Sequence, residues 1–110
     1  MAPLAEDEIV NLPVRELALR LLERMDTQGS IDIGNFLGRI VAELQGKPGF
    51  AQPIHGRSWL SEPELTRPLA EAWDWLYVNG LTAREPTQTT FRFVTRFGRA
   101  VLADVSRLPA

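Results

Sequence analysis

The apolar residues of this chain change period between residues 65 and 95, and that change limits the folds open to it. In "SEPELTRPLAEAWDWLYVNGL" (61–81), Leu65, Leu69, Ala72, Trp73 and Leu76 recur at three- and four-residue spacing, the mark of a helix with one buried face. Ser61 with Glu64 reads as a capping box, Pro63 suits the first turn, and Asn79-Gly80 ends the helix. Pro68 lacks an N–H and restricts Arg67, so the spacing predicts a short helix, a break, and a longer helix over 67–79. In "TFRFVT" (90–95) apolar and polar residues alternate instead, with aromatic and β-branched side chains that suit a strand. "LTARE" (81–85) reads as its partner strand and "PTQT" (86–89) as the turn of a hairpin. Thr95 then caps a last helix through 107, with Phe97, Val101, Val105 and Leu108 on one face. A two-stranded hairpin is marginal alone in water, so its apolar side must pack on helices. Phe91 and Phe93 are expected to supply that side, with Arg92 pointing away.

Two amphipathic segments precede this half. Val14, Leu17, Leu21, Leu22 and Met25 share a helical face after Pro13, and "DTQGS" (26–30) ends that helix. Ile33, Phe36, Leu37, Ile40, Val41 and Leu44 share another, with Asp32 as its cap and Gly46 and Pro48 as its stop. Residues 46–60, "GKPGFAQPIHGRSWL", have no period and read as a loop pinned by Phe50, Ile54, Trp59 and Leu60. Residues 1–13, with Pro3 and Pro13 around "AEDE", read as a flexible N-terminal arm, which leaves one α+β domain over 14–108.

With 45% hydrophobic and 24% charged residues, the composition is that of a globular chain that can bury one core. Cysteine is absent, which excludes a disulfide framework and thiolate chemistry. No apolar run is long enough to span a membrane, and "MAPLAEDEIV" carries acids where a secretory leader needs bases, so the cytoplasm is the expected location. His55, in "PIHGRSW", is the sole histidine, too few for a histidine-based zinc site. Neither its neighbour Ser58 nor the glycine-rich stretches around it have the setting of a triad or a phosphate cradle. No catalytic residue, metal or cofactor is expected, and the chain reads as a binding protein rather than an enzyme.

The run "LAEAWDWLYVNGLTAR", a turn, then "FRFVTRFGRAVL" resembles the second half of a winged helix–turn–helix domain. The resemblance covers roughly residues 64–103. It rests on the helix Leu69–Asn79, the Gly80-Leu81 pair, strands at 82–85 and 91–94, and Thr95 with Gly98 and Arg99. Similar segments occur in bacterial regulators and as accessory domains of larger bacterial proteins, including some of the phage-defence kind. The fold so implied is α+β and winged-helix-like, with three helices, a two-stranded wing and a C-terminal helix. The implied functions are duplex DNA binding or protein assembly.

Charge divides those two functions. Net charge is −2, and eleven of the 12 bases are arginine, so no strongly basic surface covers the chain. The outer face of the 64–79 helix holds Arg67, Glu71, Asp74 and Val78, with Glu64 on its shoulder. Carboxylates there repel a phosphate backbone. Trp75, flanking that face beside Val78, Glu71 and Asp74, instead has the make-up of a protein contact. Residues 81–110 hold two acids against five arginines. Arg84, Arg92, Arg96 and Arg99, with Arg67, are the candidates to hold phosphates from the wing side or an acidic protein partner. Assembly with another protein or a second copy is the favoured expectation, and DNA contact from the wing is the alternative.

Overall fold

The computed structural model describes residues 4–44 and 63–108. In chain order the elements are α1 (Glu6–Asn11), α2 (Val14–Glu23), β1 (Ser30–Asp32), α3 (Ile33–Leu44), α4 (Pro63–Val78), β2 (Thr82–Arg84), β3 (Phe91–Val94) and α5 (Arg96–Ala103), followed by a 3-10 turn at Val105–Arg107. Residues 46–60 and the Ser61 cap, with the expectations placed on them, lie outside the described residues.

The helical core forms where the spacing puts it, except that Val14 and Ile33, at the first positions of α2 and α3, are exposed. Leu17, Leu21 and Leu22 of α2, Phe36 and Ile40 of α3, and Leu69, Trp73 and Leu76 of α4 are all buried. Each such side chain contributes about 1.5–3 kcal/mol by leaving water. The Phe36 and Trp73 rings lie 5.0 Å apart at 35°, which locks α3 onto α4. Asp32 caps α3: its carboxylate accepts the Asn35 backbone N–H at 3.3 Å and the Asn35 side-chain amide at 2.6 Å.

Four findings differ from the sequence reading. First, the winged-helix-like arrangement of three helices with a two-stranded wing and a C-terminal helix is not what forms. The described residues hold five α-helices and a three-stranded antiparallel sheet of order β1-β3-β2. The extra strand spans the end of the expected 26–30 break and the expected Asp32 cap, with Ser30, Ile31 and Asp32 opposite Phe93, Arg92 and Phe91. It forms because β3, paired only to β2, would leave its second edge of backbone N–H and C=O groups unpaired.

Second, the N-terminal segment expected as an arm contains α1 and buries Leu4 and Ile9. Its acids hold it in place. Glu8 accepts from the Ala5 backbone N–H at 3.1 Å and pairs with Arg20 at 2.8 Å. Glu43 of α3 accepts the Leu4 N–H at 2.8 Å and pairs with Arg24 at 3.0 Å.

Third, α4 runs unbroken through Pro68. So near the helix start the missing N–H forfeits one intrahelical bond, and burial of the face bearing Leu69, Trp73 and Leu76 outweighs that loss.

Fourth, β3 is turned over. Arg92 and Val94 face the helices, while Phe91 and Phe93 lie half-buried on the opposite side of the sheet. The last helix also stops at Ala103, leaving Phe97 36% and Val105 53% exposed while Val101 and Leu108 are buried.

The corner between α4 and α5 sets the position of the hairpin. Gly80, at φ 80°, ends α4 with its N–H on the Tyr77 carbonyl, and the Leu81 N–H reaches the Leu76 carbonyl at 2.9 Å. Thr95 joins the two helices: its hydroxyl donates to the Gly80 carbonyl at 2.6 Å and accepts the Gly98 N–H at 2.9 Å. Gly98 is buried there, and a Cβ on it would run into the Leu81 carbonyl oxygen.

Candidate functional site

Two surfaces combine exposure with organised chemistry. The first is an arginine–aromatic face where the sheet meets α4. Cross-strand partners share one side of a sheet, so Ile31, Arg92 and Arg84 form a row across β1, β3 and β2. Beneath the row, Trp73 and Tyr77 stand one turn apart on α4. The Arg92 guanidinium carbon lies 5.3 Å from the Trp73 ring centre and 4.8 Å from that of Tyr77. The Arg84 guanidinium lies 4.7 Å from the same Tyr77 ring. These are stacking distances for a planar cation on an aromatic face.

Arg92 is held further by hydrogen bonds to the Trp73 carbonyl and to Asp74, both at 3.1 Å. Its side chain is 13% exposed, whereas that of Asp74 is 66% exposed. Arg92 is therefore a clamp between sheet and helix, with most of its stem removed from water. Arg84 is exposed and makes no hydrogen bond or ion pair among the described residues.

The remaining predicted residues separate. Arg67, Glu71, Asp74 and Val78 form the outer stripe of α4, with Val78 78% exposed. Trp75 is half-buried and packs against the core. Arg96 and Arg99 are exposed on α5, and Arg99 lines a polar cleft of about 290 Å³ with Thr27, Gln28, Ser30 and Glu85. The arginines after residue 83 thus do not form one patch. Arg84 and Arg92 belong to the α4 side, and Arg96 and Arg99 to the α5 side.

The second surface is an apolar groove between α2 and α5. It has a volume of about 460 Å³ and is lined by Leu19, Leu22, Val101, Leu102 and Val105, with Glu23 at its lip. Leu102 is 37% exposed and Val105 53%. The sequence pattern puts Val105 on the buried face of the last helix and gives Leu19 and Leu102 no such place. The signal was present in part, since Leu19 and Leu22 lie three apart on α2, as do Leu102 and Val105 near the end of the chain.

Among the described residues, no group of three or more His, Asp or Glu side chains is placed to hold a metal ion. Among them, too, no helix is long and apolar enough to cross a membrane. Compared with protein-family models, curated proteins and solved structures, the chain matches none.

Proposed function

We propose that this chain is a non-enzymatic binding module that works by protein–protein assembly, and that its partner in the α2/α5 groove is a second copy of itself. The observation that carries this reading is the groove, with apolar walls of Leu19, Leu22 and Val101 beside the exposed Leu102 and Val105. A concave apolar surface with protruding apolar side chains at its edge supplies both halves of a self-complementary contact, which a two-fold dimer requires.

Such a dimer buries on the order of 800 Å² per partner.

Sedimentation equilibrium across a concentration series tests this reading. The wild-type chain is expected to pass from monomer to dimer, and Leu102→Asp and Val105→Asp to remain monomeric with unchanged circular dichroism. A wild-type chain still monomeric at about 1 mM would overturn the proposal, because association that weak is worth only about 4 kcal/mol. So would a dimer that both substitutions leave intact.

A further inference from the structure

The row Arg92–Arg84 is electrically incomplete. Arg84 and Arg92 are direct cross-strand partners, and like charges so placed cost stability when nothing neutralises them. Both lie against one ring, that of Tyr77. The neutralisation is partial: Asp74 is bonded to Arg92, while Arg84 has no carboxylate partner among the described residues. The site therefore carries two positive charges and one negative charge.

Its geometry is also fixed. Arg92 is anchored by the Trp73 carbonyl and Asp74, and the Arg84 guanidinium rests over the Tyr77 ring, so neither needs much reordering to receive a ligand. Arg84 sits on β2, an edge strand of the sheet, and is exposed, with a planar array of donors that no carboxylate among the described residues takes up.

We propose that Arg84 and Arg92, set on Tyr77, form a binding site for a carboxylate of an acidic peptide segment presented by a partner protein. The carboxylate takes a forked hydrogen bond from Arg84 and lies in the field of Arg92. One negative charge balances the single surplus positive charge. A continuous phosphate backbone fits less well, because Asp74 and Glu71 are exposed on the adjoining helix, whereas a flexible peptide can turn its other carboxylates away from them. This site is separate from the α2/α5 groove and stands whether or not the chain dimerises.

The test is a titration of the ¹⁵N-labelled chain, read at the arginine Nε–H resonances. The probe is an acetylated, amidated tetraglutamate peptide, with tetraglutamine, inorganic phosphate and a short DNA duplex as comparisons. Tetraglutamate is expected to shift the Arg84 Nε–H saturably, while tetraglutamine leaves it in place. Arg84→Gln is expected to weaken binding about tenfold, the loss of one charge-assisted contact. Arg96→Gln removes the same net charge from an exposed position on α5 and is expected to leave the affinity unchanged.

Equal weakening by Arg96→Gln would reduce the effect to net charge and overturn the proposal. So would the absence of a saturable shift at Arg84, or tighter binding of DNA or phosphate than of tetraglutamate at the same resonances. Running the titration on Leu102→Asp as well separates this outcome from that of the dimer.

Discussion

Gly98→Ala distinguishes a local account of α5 from a tertiary one by the sign of its effect. Considered as a helix residue alone, alanine in place of glycine gains about 1 kcal/mol. The packing predicts the opposite. A Cβ at residue 98 collides with the Leu81 carbonyl oxygen, and it would also lie 2.8 Å from Val94 Cγ1 and 3.1 Å from the Leu81 carbonyl carbon. Two of these three atoms belong to the backbone, and Leu81 is held where it stands by its N–H bond to Leu76 and by the bond its carbonyl accepts from the Thr95 N–H. Relief requires α5 to move off the corner, which strains the Thr95 contacts to Gly80 and Gly98. Overpacking against a rigid neighbour costs about 1–3 kcal/mol. The expected result is net destabilisation of up to about 2 kcal/mol once the helix gain is deducted. Urea denaturation followed by circular dichroism measures it. A Gly98→Ala chain more stable than wild type would refute the close approach of α5 to residue 81.

Two further substitutions probe polar groups, one buried and one half-buried. Thr82 is 3% exposed and its hydroxyl has no hydrogen-bond partner among the described residues, so Thr82→Val is expected to stabilise the chain by about 1 kcal/mol in the same assay, and a clear loss would reveal a partner for that hydroxyl. Burial raises the Glu43 pKa, but hydrogen bonds from Arg24 and the Leu4 N–H more than offset it and hold the group below its ordinary 4.5. Stability from this carboxylate is therefore complete above pH 4.5 and is lost as pH falls through the lower folded value, because the unfolded chain takes up the proton first. Glu43→Gln is expected to lower the urea midpoint at neutral pH and to flatten its decline below pH 4.5; an acid limb unchanged by the substitution would refute the assignment.

The features legible in the sequence are those whose partners lie close along the chain. Asp32 and Thr95 cap helices through N–H groups three residues on, and Asn79-Gly80 stops α4 by backbone conformation. The orientation of β3 was not legible for a physical reason. Alternation in "TFRFVT" shows that Phe91 and Phe93 lie opposite Arg92 and Val94, but not which pair faces inward. Arg92 took the inner side because Trp73 and Tyr77 offer it two aromatic faces, a carbonyl and Asp74, all on another element. Leu4 and Ile9 were hidden because isolated apolar residues among acids make no period, and their burial depends on Glu43 and Arg20 from α3 and α2. The three-residue β1 has too few positions to alternate, and the resemblance to a two-stranded wing left no place for it. Composition pointed to the late arginines, and Arg84 and Arg92 do meet in space. The groove did not show because its walls come from opposite ends of the chain.

The strand order has a consequence for how the sheet assembles. β2 and β3 are joined by a short turn and can close as a local hairpin, whereas β1 meets β3 across more than half the length of the chain. Loop closure over that distance costs more chain entropy and must await the intervening helices. Residues 30–32 therefore form the seam of the molecule, a strand expected to pair only after the β2–β3 hairpin has closed.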